Sequence, residues 1–274
     1  MNKFKDILIC TDLDGTLLRS DRSLARENVE AIEYFKSEGG RFTFITGRMY
    51  FFVKEMYDMV KPNAPVGTIN GGALYDFEKE KYTFLEQLSQ RSAILVDAVL
   101  DQVPEMGVQI NTPDHVYFHR NNECMQYFRE ITRVPDLRCH YREVTEPWAK
   151  IVFGDINVEN VFRTKAILES HPLADQFDFI RSEKTFYEIL PKGITKATAL
   201  LKLCEQLGIP PSRSIAIGDY NNDIGMIKAA GLGIAVGNAL PEVKAAADLV
   251  TVTNDEHAIA HIIGKIDRGE IAFT

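Results

Sequence analysis

The sequence predicts an α/β protein with a doubly wound, Rossmann-like parallel-sheet core and an inserted α+β domain. Two observations predict the core. Short apolar runs without polar alternation are typical of strands buried on both faces, and these runs alternate with helical patterns towards both ends of the chain. The middle of the chain lacks that alternation and predicts the insertion. A length of 274 residues is sufficient for one large domain or two.

The N-terminal elements follow from apolar spacing and from helix-ending glycines. The apolar run at 6–10 ends abruptly in polar residues and predicts the first strand. A helix follows, because Ile32 and Phe35 share a face with Leu24 and Val29. The remaining N-terminal elements are a strand at 41–45, a helix at 50–60 and a strand at 65–69.

The C-terminal part repeats this alternation. A strand at 186–190 precedes a helix whose predicted N-cap is Thr195. Gly208 ends that helix, and its predicted apolar face consists of Ala197, Leu200, Leu201, Cys204 and Leu207. Further short strands are predicted at 214–217 and 233–236. We therefore expect a core of residues 1–83 and 189–274, with residues 84–188 inserted as the second domain.

Composition excludes several classes of function. The net charge of −8 argues against nucleic acid or anionic membrane as the main partner, because both require a basic surface. The four cysteines are scattered without metal-ligand spacing, as expected in a reducing cytosol. No apolar run has the length of a signal peptide core or a membrane span, so a cytoplasmic location is expected.

Polar residues follow several of the predicted strands. Ligands in open α/β sheets bind beyond the carboxyl ends of the strands, so residues that are distant in sequence should meet there. Lys196, at the start of its helix, can join them. The residues after the strand ends are Asp12, Asp14, Thr46, Gly47, Arg48, Asp219, Asn222 and Asp223.

The four aspartates predict a bound cation. In a half-buried cleft they would repel one another unless some were protonated or a cation lay among them. Hard oxygen ligands suit Mg²⁺, which can share a phosphate oxygen. A metal and a lysine beside a carboxylate nucleophile suit phosphoryl transfer, which needs an in-line nucleophile and positive charge around the phosphoryl oxygens.

Four motifs in order resemble those of the haloacid dehalogenase superfamily. They are DLDGT at 12–16, ITGR at 45–48, GITK at 193–196 and GDYNND at 218–223. The segments NGGA at 70–73 and AGLGIAVGNA at 230–239 resemble its Cof-like branch, which carries a large type II cap where this chain has its insertion. The chain departs from that branch at His257 and Ala258, where Asp-Gly is usual.

This resemblance implies a magnesium-dependent phosphatase with a phospho-aspartyl intermediate on Asp12. It further implies that Asp14 is the general acid/base and offers its carbonyl to Mg²⁺. It assigns Asp219 to the metal and Asp223 to the shell around it. The residues that it implies for the phosphoryl group or substrate are Thr46, Gly47, Arg48, Lys196 and Asn222.

Each motif alone also has an ordinary structural explanation. DxDG can be a simple turn, Thr46 can cap a helix, and Lys196 can be a solvated helix residue. Three other functions stay open: a phosphomutase that returns the phosphoryl group to a sugar, a halide-removing enzyme, and a non-catalytic sensor of phosphorylated ligands. Halide removal is disfavoured because it needs neither Mg²⁺ nor an acid such as Asp14. The intact acidic set disfavours the sensor.

The substrate is not encoded in a recognisable motif. Sugar phosphates, nucleotides and pyridoxal phosphate all fit a small phosphorylated metabolite. We expect the insertion to act as a mobile lid that sets the choice among them.

Overall fold

The computed structural model describes residues 2–271, so residues 1 and 272–274 of the predicted core lie outside the described residues. The strands are β1 Leu8–Thr11, β2 Arg41–Phe44, β3 Val66–Thr68, β4 Ala73–Asp76, β5 Lys81–Leu85, β6 Gly107–Asn111, β7 Val116–Arg120, β8 Leu137–Arg138, β9 Lys150–Gly154, β10 Phe177–Glu183, β11 Phe186–Pro191, β12 Ser214–Gly218, β13 Leu232–Ala235 and β14 Leu249–Val250. The helices are α1 Arg26–Ser37, α2 Lys54–Val60, α3 Ser92–Gln102, α4 Glu123–Thr132, α5 Val158–Ser170, α6 Lys196–Leu207, α7 Ile224–Ala229, α8 Pro241–Ala246 and α9 Ala258–Asp267.

The chain folds as two units. One comprises Met1–Phe84 with Thr195–Thr274, and the other comprises Leu85–Ile194. The first contains a parallel sheet in the order β14–β13–β12–β1–β2. β1 and β12 lie inside this sheet and are buried along their whole length, as their unbroken apolar runs predicted. The predicted α/β core is confirmed.

The third N-terminal strand lies in a different sheet from the one that we expected. β3 pairs with β4 in antiparallel fashion, in the order β3–β4–β5. A single parallel bridge between Ile45 and Gly67 joins this sheet to the end of β2. This bridge brings the turn after β3 close to the residues that follow β2.

The second unit is an α+β fold around its own core. Its sheet has the order β10–β11–β9–β6–β7–β8, antiparallel except for the β7–β8 pair. α3 and α5 pack against each other, and their apolar side chains form a separate cluster with Val108, Ile110, Ile151 and Phe153. This sheet confirms the predicted additional α+β unit.

The strand at 186–190 belongs to the second unit, although the sequence placed residues from 189 onward in the core. β11 pairs with β9 and β10, and its Tyr187 and Ile189 pack into the second apolar cluster. At the other end, Phe84 packs against the first cluster. The pairing and packing therefore put the boundaries after Phe84 and after Ile194. The proposed roles of the two units stay predictions.

The helix after Thr195 buries a face that differs from the predicted one, because Ala199 and Leu203 are also buried. α6 begins after its N-cap Thr195 and ends before Gly208, which adopts the left-handed conformation with φ 66°. Leu200 and Cys204 are buried as expected, but Leu201 is 45% exposed. Lys196, a charged residue, is buried at the start of the helix instead, and its partners explain why.

Candidate active site

The carboxyl ends of β1, β2 and β12 meet at one edge of the parallel sheet. Asp12 follows β1, and its backbone N–H donates to the Ile217 carbonyl of β12 at 2.8 Å. Thr46 follows β2 by two residues, and Asp219 follows β12 directly. The fold thus brings these residues to one edge of the sheet, as expected for a ligand site in an open α/β sheet.

Three carboxylates converge around one buried ammonium group. Asp12, Asp219 and Asp223 each have an oxygen within 4.8 Å of the others. Lys196 Nζ donates to Asp12 Oδ1 at 2.5 Å and to Asp223 Oδ1 at 2.6 Å. Lys196 is 1% exposed. A buried lysine is tolerated here because each of these contacts is an ion pair that is also a hydrogen bond.

The loop after β1 fits tightly around Asp219. Thr16 Oγ1 donates to Asp219 Oδ1 at 2.6 Å. Gly15 has φ +80°, and a Cβ at this position would lie 2.6 Å from Asp219 Oδ2. Position 15 therefore requires glycine for two reasons: its backbone is left-handed, and the Asp219 carboxylate leaves no space for a Cβ. The loop holds the Asp219 carboxylate beside Asp12.

The negative charge in this cluster exceeds what Lys196 can neutralise. Burial raises the pKa of Asp12 well above its usual value, against the lowering effect of Lys196, and Asp223 and Asp219 raise it further. Burial also raises the pKa of Asp219 to about 6, with a further contribution from Asp223. Burial lowers the pKa of Lys196, but Asp12 and Asp223 outweigh it and the net shift is upward. The Lys196 ammonium therefore stays charged. The cluster of three carboxylates and one ammonium can accept further positive charge.

The cluster fits a hard divalent cation. Its donors are carboxylate oxygens, the ligands that Mg²⁺ prefers. A cation beside them would offset the burial and mutual repulsion that raise the pKa values of Asp12 and Asp219. Asp12 and Asp219 are the better ligands. Asp223 already accepts from Lys196 through Oδ1, and from the backbone N–H groups of Asp219 and Tyr220 through Oδ2 at 3.0 and 2.9 Å.

The carboxylate of Asp14 lies outside this group of three. It forms an ion pair with Arg48, in which Arg48 Nε donates to Asp14 Oδ2 at 2.9 Å and Nη2 donates to Oδ1. Both side chains are partly exposed, at 48% for Asp14 and 33% for Arg48. A bidentate ion pair thus joins the motifs at 12–16 and 45–48, and the spacing of these motifs did not predict it.

The remaining predicted residues lie next to one another. Thr46 is 2% exposed, and its Oγ1 accepts from the Arg48 N–H at 3.3 Å. Asn222 Nδ2 donates to Asn70 Oδ1 at 3.0 Å, and Asn70 in turn lies beside Gly47. Asn222 is thereby held near the loop after β2.

Two further asparagines hold the loop after β1, and no role had been predicted for them. Asn238 Nδ2 donates to the Gly15 carbonyl at 2.8 Å, and Asn254 Nδ2 donates to the Leu18 carbonyl at 2.9 Å. The two are joined, since the Asn254 N–H donates to Asn238 Oδ1 at 2.9 Å. Asn238 falls inside the segment at 230–239, so its place in a motif was the available signal.

Comparison with known families identifies the class of protein. The family model of haloacid dehalogenase-like hydrolases matches residues 9–263, most of the chain. The chain therefore belongs to this family, as the four motifs predicted. It is an enzyme, a phosphatase of the Cof-like branch. Members of the family generally use a divalent metal, in keeping with the carboxylate cluster.

Individual relatives cover nearly the whole chain. The chain is 30% identical to the 5-amino-6-(5-phospho-D-ribitylamino)uracil phosphatase YcsE of Bacillus subtilis, over 93% of this chain and 94% of the relative. It is 28% identical to the phosphatase YwpJ of the same organism, over 93% and 98%. A crystal structure of a haloacid dehalogenase-like hydrolase from Bacteroides thetaiotaomicron superposes with a TM-score of 0.83 at 26% identity, over 95% and 99%.

Among residues 2–271, no helix combines the length and the apolar character needed to cross a bilayer.

Proposed function

We propose that this phosphatase hydrolyses small phosphorylated metabolites with the help of Mg²⁺, and that Asp12 forms a phospho-aspartyl intermediate. The observation that carries the proposal is the position of Asp12. It stands at the end of a buried strand, 2.5 Å from the Lys196 ammonium, with Asp219 and Asp223 close enough to share a metal ion with it. A buried carboxylate in such a setting is suited to attack a phosphorus atom.

In the first half of the proposed reaction, an Asp12 carboxylate oxygen attacks phosphorus while the bond from phosphorus to the ester oxygen breaks. Asp14 gives its proton to the departing oxygen, so that the product leaves as an alcohol. For this transfer the partly exposed Asp14 must leave its ion pair with Arg48 and carry a proton, which it takes from solvent before the first turnover and from the attacking water in each later one. Lys196 orients Asp12 and offsets charge on the phosphoryl group, and Thr46, Gly47, Arg48 and Asn222 bind the substrate.

In the second half, a water attacks phosphorus and gives its proton to Asp14. The bond between phosphorus and the Asp12 oxygen then breaks, which restores the carboxylate and releases inorganic phosphate. Asp12, Asp219 and the Asp14 carbonyl would hold Mg²⁺, with Asp223 supporting these ligands, and the bound ion would supply positive charge to the phosphoryl oxygens. A phosphomutase would share the first half and differ only in the acceptor of the phosphoryl group.

The test is hydrolysis of a metabolite panel by wild type and by Asp12→Asn, each with Mg²⁺ and with EDTA. The panel includes sugar phosphates, nucleotides, pyridoxal phosphate and the uracil phosphate named for YcsE. We expect phosphate release that requires Mg²⁺, that Ca²⁺ supports poorly because of its longer bonds, and that Asp12→Asn abolishes. Asp21→Asn, at an exposed loop carboxylate, is the matched control and should behave as wild type.

Two results would contradict the proposal: full activity in excess EDTA, or wild-type turnover by Asp12→Asn. Transfer to a second sugar, with little free phosphate, would favour the mutase. With a nitrophenyl ester, Asp14→Asn should still form the phosphoenzyme, because this leaving group needs no proton, and should then stall before hydrolysis.

We propose that the inserted unit sets the ranking of substrates, as expected for residues 84–188.

A further inference from the structure

The turn after β3 has an unusual backbone. Ile69 and Asn70 have φ values of 56° and 54°, both in the left-handed region. Asparagine tolerates this region, but a β-branched residue such as isoleucine rarely adopts it. The turn is held in place by two hydrogen bonds to the loop after β2, from the Ile69 N–H to the Arg48 carbonyl at 3.0 Å and from the Asn70 N–H to the Thr46 carbonyl at 2.9 Å. Backbone strain of this kind is concentrated at functional sites.

The Asn70 side chain is buried with one half of its amide satisfied. It is 1% exposed. Its Oδ1 accepts from Asn222 Nδ2 at 3.0 Å, whereas its Nδ2 has no hydrogen-bond partner among the described residues. A buried donor without an acceptor is unfavourable and rare. The Asn70 backbone and the Asn70 side-chain oxygen are both held by hydrogen bonds while Nδ2 has none within the described part of the chain, so the amide is arranged for an acceptor that comes from outside the chain.

The free donor lies against the loop to which we assign phosphoryl binding. A Cβ built on Gly47 would stand 3.1 Å from Asn70 Nδ2 and 3.0 Å from Asn70 Oδ1. Glycine at position 47 therefore lets the amide approach the backbone between Thr46 and Arg48. The nitrogen can only donate, so it suits an oxygen acceptor, and a phosphoryl group is the oxygen-rich, anionic part of the substrate.

We propose that Asn70 is a phosphoryl-binding residue, whose Nδ2 donates to an oxygen of the phosphate group beside Thr46 and Gly47. This inference rests on the proposed function, because it assumes that the phosphoryl group binds at the loop after β2. Through Oδ1 the same side chain positions Asn222. The turn at 69–71 thus contributes a ligand of its own, in addition to the four motifs.

The experiment separates direct binding from support of Asn222. Asn70→Gly removes the side chain and accepts the left-handed backbone without strain. It is compared with Asn222→Ala and with the double variant, using calorimetric binding of inorganic phosphate in the presence of Mg²⁺. Asn70→Gly should weaken phosphate binding by about tenfold to a hundredfold, the range for one hydrogen bond to a charged group. It should do so in the wild-type background and in the Asn222→Ala background, with Mg²⁺ affinity in the absence of phosphate unchanged.

Two results would overturn the inference. If Asn70→Gly changes phosphate affinity by less than twofold in the Asn222→Ala background, Asn70 acts only through Asn222 and the inference is wrong. Asn70→Asp is the second variant. It keeps an acceptor for Asn222 and lacks the donor, so wild-type phosphate affinity in this variant would also overturn the inference. Failure of the wild type itself to bind phosphate or hydrolyse esters would instead overturn the proposed function.

Discussion

Replacing Lys196 by methionine tests whether the buried ammonium holds the carboxylate cluster together. The substitution keeps most of the side-chain volume and removes the charge that lies 2.5 Å from Asp12 and 2.6 Å from Asp223. Since Lys196 is 1% exposed, water cannot take its place without rearrangement. In metal-free protein the three carboxylates would then face one another without compensation.

The expected loss of stability follows from these distances. Two unit charges about 2.5 Å apart attract by roughly 6.6 kcal/mol at an effective dielectric constant of about 20, and the desolvation of both groups offsets a large part of that attraction. Removal of one partner from a buried pair is expected to cost about 3–5 kcal/mol. The loss should shrink as the pH falls, because the carboxylates can then neutralise themselves by binding protons.

The assay is urea denaturation in EDTA at pH 7.5, followed by the same titration in Mg²⁺. Lys202→Met is the matched control, since Lys202 lies on the same helix in an exposed ion pair with Glu205 at 3.0 Å. This control substitution should lower the free energy of unfolding by less than about 1 kcal/mol. Mg²⁺ should restore part of the stability of Lys196→Met but little of its catalytic rate. A loss below about 1 kcal/mol for Lys196→Met in EDTA would refute the reasoning.

Two further predictions concern Asp219. Its pKa of about 6, against an ordinary 3.8, means that the folded state binds the proton first. The free-energy cost of the buried charge grows as the pH rises from 3.8 to 6. Lowering the pH from 7 to 5 should therefore raise the free energy of unfolding of the metal-free protein by about 1 kcal/mol more than that of Asp219→Asn, as measured by urea denaturation. An equal pH dependence in both proteins would contradict this. Gly15→Ala should displace the Asp219 carboxylate and weaken Mg²⁺ binding by calorimetry, whereas Gly208→Ala, with φ +66° and nothing within 4 Å of its added Cβ, has the backbone strain alone. Equal Mg²⁺ affinities in the two variants would show that the crowding at Gly15 is unimportant.

The sequence by itself determined several strands of the core and the polar residues that follow them. The unbroken apolar runs of β1 and β12 predicted buried parallel strands, because such strands have no solvent-facing side. The polar residues after those runs, Asp12 and Asp219, could then be placed at one edge of the sheet, because parallel strands present their carboxyl ends together. Local pattern was sufficient at these positions.

Only the tertiary structure decided which of these polar groups touch. The pairing of Asp14 with Arg48, the free amide donor of Asn70 and the packing of Gly15 against Asp219 all depend on contacts between segments distant in sequence. The same is true of β11, whose apolar pattern fits either sheet. Its membership was decided by pairing with β9. A pattern of residue types indicates which face of an element is buried, as in β1 and β12, whereas the partner on that face is decided by packing and hydrogen bonding across the whole fold.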